Sequence, residues 1–303
     1  MIKHTIQRLY RSIPVIRELG QIRDGLAGLN HKLAELASLR LFDIDLPSNS
    51  RYTEPSRLLR HGFQVCSQNQ EDGMIQEVFR RIGVTNQVFV EVGVGNGIEN
   101  NTSFLLSQGW KGYWIDGDPG MLQAIAGRTD IDSDCLRTLV SFVTRENIRG
   151  SFQQLGVPRE VDLLSLDIDQ NTYYAWEGLD QFRPRVVVVE YNGAIPPYVD
   201  WKVHYDPKRT FDGTLNSGAS LKAFELLGRK LGYSLVGCDY LGVNAFFVRT
   251  DLVVDKFCQP FTAENHFEPF RYALTHRRGH ANAIPDRNPA NASLDLTNNL
   301  SSK

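Results

Sequence analysis

The chain has 303 residues and nearly balanced charge, 33 Lys and Arg against 35 Asp and Glu, for a formal net charge of −2. Non-specific nucleic-acid binding needs a basic surface that this balance does not supply, and no apolar run reaches the ~18 residues of a membrane span. Cys66, Cys135, Cys238 and Cys258 lie far apart with no C-x-x-C pair, so they read as reduced thiols of a cytoplasmic protein, not as a zinc site or a disulfide frame.

At this length, one α/β domain with extensions or two small domains is expected. The first forty residues stand apart. Val15, Leu19, Ile22, Leu26, Leu29, Leu33 and Leu36 follow steps of 4-3-4-3-4-3, the heptad spacing of a coiled coil, and the next position is Arg40, where the seam stops. Gly20, Gly25 and Gly28 each weaken such a helix by up to about 1 kcal/mol against alanine. Alone it is marginal, so a homo-oligomer through this helix is expected. The same pattern also suits a helix lying on its own domain, and Lys3, Arg8, Arg11 and Arg17 suit peripheral attachment to an anionic membrane surface. The basic N-terminus lacks a continuous apolar core, so no signal peptide is expected. A linker-like stretch with Pro47 and Pro55 follows, and then a helix with Met74, Ile75, Val78, Phe79 and Ile82 on one face.

From there strands and helices alternate. Strands are expected over 88–92, 112–115, 136–143, 162–168, 185–191, 233–239 and 244–249. Helices are expected up to about 108 and over 119–126, 145–155, 173–181 and 219–231. Five β-α units and a closing strand pair imply an α/β fold: a doubly wound, mostly parallel seven-stranded sheet with helices on both faces. The stretch from 279, rich in Asn, Ala, Ser, Asp and Pro, is expected to be disordered.

The first strand ends in Glu91-Val92-Gly93-Val94-Gly95-Asn96-Gly97, an acid and three alternate glycines where backbone can approach a ligand. A dinucleotide fingerprint G-x-G-x-x-G would need a third glycine at Ile98. An acid about 20 residues past such a loop grips ribose hydroxyls from the next strand tip. Asp116, directly after the apolar Trp114-Ile115, fits that role, whereas Asp118-Pro119 reads as a helix start.

Ligands of doubly wound sheets bind beyond the carboxyl ends of the strands. There Asp167 and Asp169 are two apart, as are Glu190 and Asn192 on the neighbouring strand, so each pair faces one way. Converging carboxylates raise one another's pKa, and a hard divalent cation resolves the conflict. The alternative has Asp167 on a ligand amino group, Asp169 capping the next helix and Glu190 bonding a loop. His204 sits in a long aromatic-bearing loop, 193–218, and is the best-placed candidate general base.

With these pieces assembled, residues 67–251 resemble the class I S-adenosylmethionine (SAM) methyltransferases, and among them the FkbM-like group, several of which O-methylate sugars or polyketides. The matching segments are S-Q-N-Q-E-D-G-M-I, V-E-V-G-V-G-N-G-I-E-N-N-T, G-W-K-G-Y-W-I-D-G-D-P, S-L-D-I-D, V-V-V-E-Y-N, G-A-S-L-K-A and G-C-D-Y-L-G-V-N-A-F-F-V-R. The resemblance implies a Rossmann-like fold with SAM held by Glu91, Gly93, Gly95, Gly97 and Asp116, and adenine near Val143 and Thr144. It further implies Mg²⁺ on Asp167, Asp169, Glu190 and Asn192, with His204 and Asp167 as catalytic groups, and a glycan or small-molecule acceptor. The chain departs from the FkbM-like pattern at Asp116, where Glu is common, and at L-D-I-D-Q, where I-D-x-E-G is common. The expected organisation is 1–45 helix, 46–260 SAM-binding domain and 261–303 extension. Two other readings remain: a non-catalytic oligomeric partner on this fold, and an NAD-dependent oxidoreductase.

Overall fold

The computed structural model describes residues 14–40, 44, 46–128, 131–132 and 134–271, with side chains up to residue 46 described only in part. The described residues fall into a unit ending at Ser50 and a second from Arg51 to Arg271. The first is dominated by one helix, α1 (Pro14–Arg40). Proline at its first position costs no hydrogen bond, because that N–H has no intrahelical acceptor. Its heptad residues from Leu19 to Leu36 are exposed; the side chain of Val15 is outside the described set. No helix among the described residues is long and apolar enough to cross a membrane.

The second unit is a seven-stranded sheet in the order β3-β2-β1-β4-β5-β7-β6. Its strands are β1 (Val88–Val92), β2 (Lys111–Asp116), β3 (Leu136–Val140), β4 (Leu163–Leu166), β5 (Val186–Glu190), β6 (Tyr233–Cys238) and β7 (Asn244–Arg249). The first five pair in parallel, with Val90 opposite both Tyr113 and Leu164, and Leu164 opposite Val187. β7 runs antiparallel to both neighbours, Val188 facing Phe246 and Leu235 facing Phe247. This is the seven-stranded, mostly parallel sheet expected from the sequence, with the order reversing between β1 and β4. Val186 to Val189 are fully buried, as a strand covered on both faces requires.

Helices α2 (Glu71–Ile82), α3 (Ser103–Ser107), α4 (Pro119–Ala126), α5 (Ile148–Leu155), α6 (Thr172–Glu177) and α7 (Leu221–Leu231) flank the sheet, and α8 (Ala263–His266) follows it. Phe152, Trp176, Phe224 and Phe247 belong to one hydrophobic cluster, in which the Trp176 and Phe247 rings lie 4.9 Å apart. Met74, Ile75, Val78, Phe79 and Ile82 of α2 are buried as their spacing predicts, and Phe79 packs on Trp110 at 5.0 Å.

Several boundaries differ from expectation for identifiable reasons. The helix expected to 108 is reduced to α3, because the amides of Asn101 and Thr102 bond the Glu91 side chain instead of a helix. β3 stops at Val140 and hands residues 141–143 to the cavity described below. α5 starts at Ile148, not 145, since Thr144 N donates to Asn147 Oδ1 at 2.7 Å and Asn147 N returns to Thr144 Oγ1 at 3.3 Å. α6 ends before Gly178, where a Cβ would lie 2.5 Å from the Arg145 carbonyl oxygen. Residues 261–271, expected as the start of a 261–303 extension, belong to the sheet unit. There the buried Glu268 carboxylate accepts from Arg51, Tyr52 and Arg271. The stretch from 279 expected to be disordered lies outside the described residues.

At the amino ends of β4 and β5 a buried pair fastens the sheet to the loop that feeds it. Asp162 accepts from the amides of Thr85, Asn86 and Gln87 at 2.8–3.0 Å and from Arg185 Nη1 at 2.7 Å. Arg185 also donates to the carbonyls of Gly83 at 2.8 Å and Ile82 at 2.9 Å, closing the end of α2. Burial pushes the Asp162 carboxyl up, but Arg185 and the three amides outweigh it, so it titrates below the ordinary range. Asp162→Ala is therefore expected to cost about 3–5 kcal/mol in urea unfolding, because it leaves Arg185 buried and unpaired. With the folded pKa depressed, this pair stabilises above the unfolded carboxylate value of about 3.9 and fades as pH falls through the lower folded value. The difference between wild type and variant should shrink there.

Candidate functional site

A cavity of about 530 Å³ opens at the carboxyl ends of β1 to β4, where the strand order reverses. Gly93 sits at its floor with φ +85°, and a Cβ there would lie 1.6 Å from the Asp167 carbonyl oxygen. Only glycine lets the end of β1 rest on the end of β4. Gly95, φ +51°, donates its N–H to Asp116 Oδ2 at 2.8 Å. Gly97 is buried, and a Cβ would meet the Trp114 ring at 2.8 Å, so its role is packing. The loop opens into turns, with α3 beginning only at Ser103, so no helix N-terminus faces the glycines as pyrophosphate binding by a dinucleotide fingerprint requires.

Asp116 ends β2 half-buried on the cavity wall, its other oxygen accepting from Asp118 N at 2.8 Å. Asp118 also lines the cavity and caps α4, accepting from Gly120 N. Val143 is buried beside Phe142, whose ring is largely exposed on the same wall. Thr144 is absent from the lining; its N–H donates to Asn147 Oδ1 and its hydroxyl accepts from Asn147 N in the turn ahead of α5. Glu91 is also absent from it. Its buried carboxylate accepts from the amides of Asn101 and Thr102 and from the Thr102 hydroxyl, which in turn accepts from Trp114 Nε1 at 2.8 Å. Burial pushes that carboxyl up to about 7 against those bonds. The structure thus gives Glu91 the turn after β1 to hold.

Asp167 and Asp169 line the opposite wall, and one carboxylate oxygen each from these two and from Glu190, which does not line the cavity, lies within 4.8 Å of the other two. Burial, and then the neighbouring Asp167 charge, push the Glu190 carboxyl well above the usual range. Burial also raises Asp167, which shares a hydrogen bond with Glu190, and raises Asp169. Asp169 has φ +54°, a left-handed conformation that a non-glycine residue adopts under strain. The fourth expected oxygen donor is committed elsewhere: Asn192 Oδ1 accepts from Ala194 N, and its Nδ2 donates to the carbonyls of Leu215 and Ser217. His204 is exposed and outside the cavity lining.

Phe142, Asn171, Arg209 and Thr210 line the cavity without having been singled out in the sequence. Asn171 is 3% exposed; its Nδ2 donates to Asp206 O at 2.9 Å, and its Oδ1 is buried without a partner among the described residues. Arg209 comes from the 193–218 loop, steadied by Asp212 at 3.1 Å. Only Asn171 carried a local signal, two residues beyond Asp169 in the same strand-tip segment.

No family model and no curated protein sequence matches this chain. Solved structures do. An O-methyltransferase from Bacillus cereus in complex with SAH is 16% identical, with 70% of this chain and 95% of that chain covered and a TM-score of 0.41. The methyltransferase domain of bacterial CtHen1 is 17% identical over 59% and 96%, TM-score 0.36. TrmK of M. capricolum with SAH is 10% identical over 57% and 67%, TM-score 0.33. At this distance no activity passes from them to the present chain.

The two half-buried loop glycines Gly93 and Gly95 should respond differently to a methyl group. Gly95→Ala, whose Cβ would meet nothing within 4 Å, is expected to cost about 1–2 kcal/mol for its left-handed backbone alone. Gly93→Ala should cost several times more in the same denaturation measurement, because both colliding groups are backbone. Equal costs would mean that the β1–β4 contact yields.

Proposed function

We propose that the sheet unit is a SAM-dependent methyltransferase that methylates a hydroxyl of a sugar, glycan or related small molecule with the help of Mg²⁺. The observation that carries this reading is one cavity lined by a ribose-type acid, Asp116, on one side and by Asp167 and Asp169 on the other, with Glu190 beside those two and Gly93 between the two sides. The residues fit both groups. Asp116 spends one bond per carboxylate oxygen on backbone amides, which leaves lone pairs for two ribose hydroxyls. Phe142 and Val143 offer an apolar surface for a flat base. Three oxygens of mutually opposed carboxylates suit a hard cation.

When bound, SAM supplies an electrophilic methyl group, and Mg²⁺ supplies polarisation of the acceptor hydroxyl. The chain's own part is positional and protolytic. Asp116 and the glycine loop fix the nucleoside end, and the 193–218 loop closes the acceptor end with Arg209 and Thr210. Tyr198, Phe211 and Leu215 are exposed on that loop and offer the apolar faces that sugar rings stack against. Asp167 lines the cavity with Glu190 hydrogen-bonded behind it, so it is the group placed to take the acceptor's proton. His204 serves as base only if the loop turns it inward. A weakly acidic sugar hydroxyl makes a cation more useful than an amine acceptor would.

Calorimetric titration tests the cofactor. SAM should bind the wild-type protein, and Asp116→Asn should weaken it by at least about tenfold, the loss of one charged hydrogen bond. Absence of SAM binding with and without Mg²⁺ overturns the reading, and binding of a nicotinamide dinucleotide in its place would favour the oxidoreductase. The cation has its own readout. Because Glu190 holds its proton above the usual range, Mg²⁺ must displace it. Binding should therefore tighten as pH rises and release protons, measurable in buffers of different ionisation enthalpy, and the signal should vanish in Glu190→Gln.

A further inference from the structure

We infer that α1 is the dimerisation element of this protein and that its occupant is α1 of a second copy, aligned in parallel and in register. Leu19, Ile22, Leu26, Leu29, Leu33 and Leu36 are exposed by 60, 59, 57, 53, 56 and 62%. Their steps of 3 and 4 define a strict seven-residue repeat, with Leu19, Leu26 and Leu33 at its first position and Ile22, Leu29 and Leu36 at its fourth. A helix that covers a globular surface carries a broader apolar face with a 3.6-residue period, whereas a two-position seam with period 3.5 matches a partner helix of the same period. The described seam holds only Leu and Ile, and α1, at 27 residues, is about 40 Å long.

The flanking charges select the partner. Glu18 precedes Leu19 and Arg23 follows Ile22, the two positions that face each other across a parallel pair. Parallel, in-register alignment of two copies sets each Glu18 opposite the other copy's Arg23, twice per dimer. An antiparallel alignment centred on the same seam sets neither residue opposite an opposite charge. Within one chain Arg23 turns to Asp24 at 3.0 Å, with both side chains more than 70% exposed, so nothing holds it from a partner. The three glycines also avoid the seam: Gly20, Gly25 and Gly28 occupy flanking and outer positions, and a Cβ on any of them would meet nothing within 4 Å. They lower the stability of the lone helix without touching the surface that pairs, which couples folding of α1 to pairing.

Light scattering and sedimentation equilibrium on the full-length chain test this. A two-chain mass is expected, and Leu26→Asp with Leu33→Asp should give single chains whose sheet-unit unfolding temperature is unchanged. Glu18→Arg and Arg23→Glu should each weaken the dimer, on the order of tenfold for the two lost pairs, and the double reversal should restore it. A single-chain mass for the wild type overturns the inference, as does a dimer indifferent to the two aspartates. Failure of the double reversal to restore pairing overturns the parallel register. Single chains that sediment with phosphatidylserine vesicles would assign the seam to a membrane surface instead.

Discussion

Everything at the carboxyl edge of the sheet depends on an atom that is missing, the Cβ of Gly93. With 1.6 Å between its ideal position and the Asp167 carbonyl oxygen, the end of β1 and the end of β4 lie in backbone contact. That contact places the glycine loop, the Asp116 it bonds through Gly95 and the Asp167 carboxyl around one cavity. Any other residue would separate the two halves of the site. The sheet's topology makes a crevice at this point, and Gly93 decides that the crevice is narrow enough for both walls to reach a single ligand.

The two ends of β4 and β5 set carboxylates in opposite surroundings, buried at one end and half-buried at the other. At the amino end, Asp162 meets a guanidinium and three amides, so burial is offset and the charge holds the structure together. At the carboxyl end, Asp167 and Glu190 share a hydrogen bond; burial raises both, and the Asp167 charge raises Glu190 further. Two carboxyls raised by burial and joined only by a hydrogen bond contribute less to stability than a carboxylate matched to a guanidinium. Clustered carboxyls with raised pKa values beside a cavity mark a candidate functional site on physical grounds.

Much of this was legible in the sequence because periodicity reports burial. The alternation of strands and helices, the α2 face and Asp118 as a helix cap follow from residue spacing and cap chemistry. Asp167 and Asp169 lie together, but β4 ends at Leu166 and Asp169 sits in a 3-10 turn with φ +54°, so strand alternation is not what brings them together. What was not legible depends on partners distant in sequence. Glu91 ends its strand as a ligand residue would, yet Asn101 and Thr102 turn back to take it. Asn192 shares the Glu190 face, but the carbonyls of Leu215 and Ser217 claim its amide. Arg185 carries no local pattern at all; its role exists only once β4 and β5 lie side by side.

The same reasoning separates the helices. In α7, Leu221, Phe224 and Leu227 are spaced as tightly as any apolar residues in α1, and all are at most 2% exposed, against 53–62% along the α1 seam. Side-chain type and local spacing are alike, so hydrophobicity alone does not decide burial. The difference lies in period and flanks. α7 starts on a Ser220 cap and ends on a left-handed Gly232, bounds that fit it to one face of a sheet. α1 runs 27 residues on a seven-residue repeat, and a repeat of that kind winds around a helix of equal period, not across the twisted surface of a sheet. Burial in one case is completed by the sheet, and in the other the apolar seam stays exposed among the described residues.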